Sequence, residues 1–388
     1  MSRIHVDESR LLSTLKELIA IESVNPSLVQ GGSGETKIAQ HIGDRLETIG
    51  LEVQYQQLGQ NRQNVVARLR GRGDGGLSLM LNGHTDTVGI AGMETPALTA
   101  TCQDGKVYGR GAFDMKGGLA AMVGVAESLA DAKTKLRGDL VLAFVADEEY
   151  ASMGTEALTK EYGADAAIVT EPTNLDVIVT HRGFAWASVD VFGKAAHGSR
   201  YDVGVDAIAK AGKFLVALEQ MDTGFEGLKP HPLLGRPSVH ASLIRGGAEL
   251  STYPDYCRVD LERRTMPSES QQTFEKELKA LIERVASSDS EFRAQSNVFF
   301  YRPALEVSEH LDLIHILRQE THKATGRDPR LVGAGWWTDA ALLKDAGIPA
   351  VLFGHSGDGA HAPVEYADFK SLVQMTHALI GTTVTFCS

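Results

Sequence analysis

The sequence predicts an α/β protein: a mainly parallel sheet flanked by helices, into which a second, α+β domain is inserted. Three observations carry this. Helix-like and strand-like segments alternate over both ends of the 388-residue chain, as they do when crossover helices join strands. The strands at these ends, LSLMLNG and DLVLAFVA among them, are near-continuous apolar runs, the mark of strands covered on both faces. The middle of the chain instead carries strands that alternate in character, which leaves one sheet face exposed. A chain of this length holds two domains.

The elements follow in order. LLSTLKELIAI is an amphipathic helix, and KIAQHIGDRLETIG is a second, closed by Gly50. LEVQYQQL and QNVVARLRG are strands, and LSLMLNG is a short buried one. Residues 97–110, ALTATCQDGKVYGR, form a hairpin about Asp104 and Gly105. DMKGGLAAMVGVAESLADA is a helix of small residues suited to close packing on a sheet. DLVLAFVA and AAIVT are buried strands; near the end, the helix DAALLKDAG precedes the strand IPAVLFG. In the middle, FAWASVDVFGKAAH, GVDAIAKAGKFLVALEQM, SVHASLIRGG, CRVDLERRTM, SQQTFEKELKALIERVA and FRAQSNVFFY read strand, helix, strand, strand, helix, strand. That is the split βαβ, ferredoxin-like order. It places an inserted domain at about residues 182–302 within a first domain made of 1–181 and 303–388.

Composition narrows the function. Hydrophobic residues make up 43% of the chain, enough for a sizeable core and too many for disorder. The net charge of −12 and the lack of any basic run argue against nucleic acid. Cys102, Cys257 and Cys387 are far apart and form neither a disulfide framework nor a CxxC metal clip. The N-terminal MSRIHVDESRLLSTLKELIAIESV reads as an acid-bearing amphipathic helix rather than a signal peptide, and no apolar run is of membrane-spanning length. These features point to a cytoplasmic protein.

Ligands of open α/β sheets bind beyond the carboxyl ends of the strands, so the residues there are the candidates. His84 and Asp86 follow LSLMLNG, and Asp147, Glu148 and Glu149 follow DLVLAFVA. Glu171 follows AAIVT, His361 lies in the glycine-rich HSGDGAHAP after IPAVLFG, and Asp114 opens the small-residue helix. Singly, each has an ordinary explanation: Asp114 as a helix N-cap, His84 as a satisfied core histidine, Asp86 as a turn cap, Glu171 as a loop acid, His361 as an idle loop residue. Together they would have to meet at one sheet edge by coincidence. Carboxylates in a row at a strand end also repel one another unless positive charge is near. All are carboxylate or imidazole and none is a thiolate, which suits a catalytic metal site that keeps room for water. Glu148 and Glu149, adjacent on a strand, would point to opposite faces unless the chain turns. Gly154 is expected to permit that turn. One glutamate then binds metal while the other handles a proton, and Asp147 is left to local structure.

GHTDTV, GRGAFDMKGG, ADEE, VTEPT and AHAPVEY together resemble, in order and spacing, the dinuclear zinc amidohydrolases. That family includes acetylornithine deacetylase, succinyl-diaminopimelate desuccinylase, glutamate carboxypeptidase and aminoacylase. The resemblance spans nearly the whole chain and implies a metallopeptidase-like catalytic domain with an inserted lid and dimerisation domain. It implies His84 and Glu171 on one zinc ion, Glu149 and His361 on the other, and Asp114 bridging, with cobalt or manganese as alternative ions. It implies Glu148 as general base and proton donor to the leaving amine, and Asp86 behind His84, orienting its ring. In the inserted domain it implies that His197, in GKAAHGS, reaches the partner's active site to hold the oxyanion, which requires a homodimer. It implies that Arg264 grips the carboxylate of a small N-acyl amino acid. The ordinary readings are a surface histidine and a solvated edge charge. Departures stand at Ser251, where relatives commonly place asparagine, at His355 in GHSGDG, and at Trp336 and Trp337, which are expected to shape the acyl site. The implied reaction is metal-dependent hydrolysis of an N-acyl-L-amino acid. A carboxypeptidase or dipeptidase of the same family is the alternative, and a non-catalytic binding relative or a nicotinamide dehydrogenase is disfavoured by the intact ligand set and the incomplete glycine fingerprint.

Overall fold

The computed structural model describes residues 4–388. The chain forms two compact units. The first runs up to Val179 and resumes over Val307–Val332 and Thr338–Ser388; the second comprises Thr180–Glu306 and Gly333–Trp337.

The first unit is a mixed α/β structure built on a large sheet of both parallel and antiparallel strands. Its centre is parallel: Leu140–Val145, Leu79–His84, Ala166–Val169 and Ala350–Leu352 lie side by side in that order. Every residue of these four strands is buried, which is why their sequences read as unbroken apolar runs. Both flanks turn antiparallel, through Arg62–Leu69 and Glu52–Gly59 on one side and Val177–His181 on the other. The helix Gly117–Asp131 packs with nearly its whole surface buried, and its small residues make that possible: a Cβ on Gly124 would sit 3.3 Å from Leu11 and from Thr376. Helices Glu8–Ala20 and Phe369–Phe386 pack with it. Each fully buried leucine or isoleucine in this core contributes on the order of 2 kcal/mol by leaving water. Asp7 caps the first helix by accepting from the Arg10 N–H, and Gly50, at φ +87°, follows the end of Thr36–Thr48. The expected hairpin is present, Thr101–Gln103 with Lys106–Tyr108, turning on Asp104 and Gly105, both at positive φ.

The sequence pattern does not mark Met153–Glu161, Val177–His181, Asp312–Thr325 and Phe369–Phe386, nor the short strands Leu331–Ala334, Gly357–Asp358 and Tyr366–Asp368. The small-residue helix, expected from Asp114, begins at Gly117. Residues 112–116 are irregular, with Asp114 at φ −119°, ψ 94°, and the Asp114–Met115 peptide is cis.

The second unit is a four-stranded antiparallel sheet in the order Ser238–Gly246, Tyr256–Thr265, Gly183–Phe192, Arg293–Arg302. One face carries the helices Ala207–Gly224 and Gln271–Ser288 over a core that includes Ala187, Val189, Val259, Leu261, Phe214 and Phe274. Asp206 and Ser270 cap these helices by accepting from the Ala209 and Thr273 N–H groups. Phe184, Trp186 and Phe300 pack together in this unit, Trp186 stacked on Phe300 with ring centroids 5.0 Å apart. The unit is wider than residues 182–302 because Gly333–Trp337 joins it. The Arg182 N–H donates to the Ala334 carbonyl, and the Trp337 indole N–H donates to the Pro303 carbonyl at 2.8 Å.

Among the described residues, no helix is long and apolar enough to cross a membrane. All three cysteines are free.

Candidate metal centre

The site forms at the carboxyl edge of the parallel strands of the first unit. His84 is the last residue of its strand, and its Nε2 lies 3.1 Å from Asp114 Oδ1 and 3.6 Å from Glu171 Oε1. On the other side of Asp114, His361 Nε2 lies 3.4 Å from Asp114 Oδ2 and 3.0 Å from Glu149 Oε2. Two ligand groups result, His84–Asp114–Glu171 and Asp114–Glu149–His361, each with its donor atoms within 4.8 Å of one another. The two groups share Asp114, one carboxylate oxygen facing each histidine. Asp114 is therefore no helix cap: it precedes the helix and points at two imidazoles. His361 reaches its place from a backbone at φ +61°.

The turn that lets Glu148 and Glu149 leave the strand is made by Asp147, not by Gly154. Asp147 adopts φ +72° and its carbonyl accepts from the Ser152 N–H at 2.5 Å. Its carboxylate accepts from Arg62, from Asn25 and from the Met153 N–H, which holds a non-glycine residue in this conformation. Gly154 serves a different need: a Cβ there would lie 2.3 Å from the Ala146 carbonyl oxygen.

Asp86 does more than stand behind His84. The His84 ring is fixed at Nδ1 by the Asp86 main-chain carbonyl at 2.9 Å, while the Asp86 carboxylate oxygen is 3.6 Å away. That carboxylate accepts instead from the Glu148 and Glu149 N–H groups, each at 3.2 Å, and from the Asn25 amide at 2.8 Å. Glu365, in the AHAPVEY stretch but given no role from sequence, is fully buried and holds the Asp114 loop in the same way. It accepts from the N–H groups of Gly111, Phe113 and Asp114 and from the Arg110 guanidinium. His355 is buried, with Nε2 3.3 Å from the Ala112 carbonyl oxygen, and burial pulls it down to about 4, so it packs as a neutral ring beneath the same loop. Asp339 is also buried near these acids, its Oδ2 accepting from Thr155. Glu365, Asn25, Arg62 and Asp339 are polar residues buried without an apolar reason to be there, and nothing in the one-dimensional pattern separates them from ordinary surface charges.

The electrostatics ask for cations. Burial, with Glu171, Asp339 and Glu149 near, holds the Glu148 carboxyl well above the usual carboxylate range despite His84. Burial likewise raises Glu149 and pushes Glu171 up to about 8. Burial opposes a charge on His84, but Glu171, Asp114, Glu148 and Asp86 outweigh it and hold the ring well above its ordinary value. Hydrogen bonds to Asp114 and Glu149 push His361 up to about 10. Among the described residues no lysine or arginine forms an ion pair with Asp114, Glu148, Glu149 or Glu171, and Glu149 Oε1 is buried without a hydrogen-bond partner. Four carboxylates and two imidazoles, with no fixed positive partner and an orphaned oxygen, fit a pair of divalent ions.

The remaining sequence candidates lie in the second unit. His197 is exposed, bridges to Thr252 in the β-sense and has Nδ1 2.9 Å from Ser199 Oγ. Arg264 donates to Glu262 at 2.5 Å and lies over the Phe184 ring. Its neighbour Arg263 is buried among Phe225, Phe274 and Glu269 and is a core residue. Arg182 lies near Arg264, and burial together with Arg264 and Arg236 lowers its pKa. Ser251 takes part through its main chain, its carbonyl accepting from the Gly198 N–H. Trp337 packs edge-on against Phe184 and His181, whereas Trp336 is exposed.

A family model described as Peptidase family M20/M25/M40 matches residues 80–383. Acetylornithine deacetylase of Myxococcus xanthus is 30% identical over 394 residues, covering 97% of each chain. A deformylase of Halalkalibacterium halodurans, acting on N-formyl-4-amino-5-aminomethyl-2-methylpyrimidine, is 27% identical over 99% of this chain and 96% of its own. Among solved structures, an aminopeptidase from Bacillus cereus superposes with a TM-score of 0.80 at 18% identity, covering 99% of this chain and all of its own. A dinuclear metal-binding peptidase from Bacillus subtilis gives 0.76 at 17% identity, over 97% and 98%.

Proposed function

The chain belongs to the M20/M25/M40 peptidase family, enzymes acting on amides, and from that premise we propose that it removes the acyl group from a small N-acyl amino acid. The observation that carries this is the pair of ligand groups sharing Asp114, with Glu148 beside them and outside both. His84 and Glu171 with Asp114 would hold one zinc ion, and Glu149 and His361 with Asp114 the second. Cobalt or manganese suits the same donors. When bound, such a pair polarises the amide carbonyl and acidifies the attacking water. Glu148, held by its N–H on Asp86, takes the water proton on its carboxylate and delivers it to the leaving nitrogen. The relatives that remove acetyl and formyl groups support a small acyl group. Arg264, with Arg182 beside it, supplies the cation for the substrate carboxylate.

The test is amine release from N-formyl, N-acetyl, N-succinyl and N-aroyl amino acids and from dipeptides, with added zinc and with chelator. Chelator-sensitive release from an N-acyl subset is the expected result. Release from dipeptides alone would move the reading to a peptidase. No release from protein carrying two ions would remove the deacylase reading.

The inserted unit acts, in this proposal, as a lid and dimerisation domain, and the enzyme works as a cytoplasmic homodimer. Three features support the homodimer. Ser238–Gly246 is an edge strand with Leu243 and Ile244 half exposed, and Tyr201 and Leu250, close to His197 in the sequence or in the adjoining loop, are almost wholly exposed. His197 then completes the partner's site by donating to the developing oxyanion. His197→Ala is expected to lower kcat by about 10²–10³-fold with metal content unchanged. Mixing Glu148→Ala with His197→Ala subunits is expected to restore activity, since one hybrid site is complete. A mixture no more active than its parts would place His197 outside the partner's site.

A further inference from the structure

Beneath the candidate ligands of the first unit runs a buried polar chain, of which the proposed reaction uses only Asp86. Glu35 and Asn25 are wholly buried, and Asp86, Asp147 and Arg62 nearly so. Arg62 grips Glu35 with two hydrogen bonds, Nε to Oε2 at 2.7 Å and Nη2 to Oε1 at 2.8 Å, and Nη2 also donates to Asp147 Oδ1 at 2.6 Å. The Asn25 amide donates to Asp147 Oδ1 at 3.0 Å and to Asp86 Oδ2 at 2.8 Å. The chain ends on the Asp86 carboxylate, whose two oxygens receive the Glu148 and Glu149 N–H groups.

Two features argue that this arrangement serves the site. A buried ionic network is a poor source of stability, because well-packed apolar residues of similar volume often do as well or better. Its geometry is also directional. Asn25 links the Asp86 carboxylate to the Asp147 carboxylate, and so ties the loop after His84 to the turn that carries Glu148 and Glu149. An amide does this without adding charge, where an aspartate would set a third carboxylate against two others. The Asn25 N–H donates to the Thr87 carbonyl, so its own backbone is pinned to the loop it serves.

We infer that Asn25 and Arg62 are positioning residues, which act through Asp86 and Asp147 to fix the Glu148–Glu149 peptide so that one carboxylate stays in the ligand group and the other outside it. The inference rests on the metallohydrolase reading above. Its test is Co2+ binding by calorimetry, together with kcat and KM of the Co2+-loaded enzyme, in Asn25→Ala and Arg62→Lys. Asn25→Ala is expected to weaken Co2+ binding about 10-fold and to lower kcat at saturating metal about 10–100-fold, with KM within about twofold. Arg62→Lys keeps the charge but not the two-handed grip, and is expected to lose less in the same direction. In an Asp86→Ala background, Asn25→Ala should cost clearly less Co2+ affinity than in the wild type, since part of its effect runs through the Asp86 carboxylate. Additive losses, or a lowered Tm with Co2+ affinity and kcat unchanged, would overturn the inference and leave a merely structural network. If Asn25→Ala does not fold, Arg62→Lys decides by the same measurements. Wild-type protein that binds Co2+ yet hydrolyses no amide would sink the deacylase reading, while the affinity cycle still decides the positioning role.

Discussion

Glu148→Ala is expected to keep both metal ions and to lose turnover by about 10²–10⁴-fold. The Glu148 carboxylate is not part of either ligand group, so its removal takes no donor from the ions. The peptide that carries it is held by main-chain contacts to Asp86, and these survive truncation at Cβ. Burial and its neighbours raise the affinity of the Glu148 carboxylate for a proton, which suits a group that must accept one and return it. The measurement is kcat beside metal content from the same preparation. A variant within about tenfold of wild type would dismiss Glu148 as the base. A variant that loses metal as well would make it a ligand rather than a base.

Asp114→Ala is expected to do the opposite, losing both ions and turnover together. One carboxylate serves both ligand groups, with Oδ1 facing His84 and Oδ2 facing His361. Without it, each group falls to two donors, and the remaining acids repel one another with less cation to offset them. The drop in apparent kcat should exceed the roughly 10–100-fold that follows loss of an outer partner. His361→Ala is the control, because it touches only the second group and should leave the first ion in place. Metal stoichiometry after dialysis, measured on both variants, separates the outcomes. If Asp114→Ala still holds two ions, the two groups do not depend on a shared ligand.

The strands that deliver the site are legible in the sequence because burial on both faces leaves a plain mark. LSLMLNG and DLVLAFVA could be little else, and parallel strands put their carboxyl ends at one edge. His84, Glu171 and the Glu148–Glu149 pair follow from that rule. What the sequence conceals is the conformation of single residues and the partners of polar ones. Asp147 turns the chain at positive φ, and no composition rule names an aspartate for that task when a glycine, Gly154, stands nearby. Asp86 looks like a histidine partner, but its carboxylate accepts from two main-chain amides and from the Asn25 side chain. Trp337 is expected from sequence to shape the acyl site, and its packing against Phe184 of the inserted unit is not written in the pattern around it. Arg62 and Glu35 each look like surface charges, because their pairing is visible only once the chain is folded.

Glu365 binds the Asp114 loop from 251 positions further along the chain, and His361 comes from the same late segment. At a translation speed of ~5–20 residues per second, the ribosome needs roughly ten to fifty seconds to pass from one to the other. During that time the emerging polypeptide has its early ligands but neither the clamp nor the last imidazole. The nascent chain therefore cannot bring the second group of donors together until His361 has emerged. A product cut short before His361 would keep the His84–Asp114–Glu171 group and lack the other.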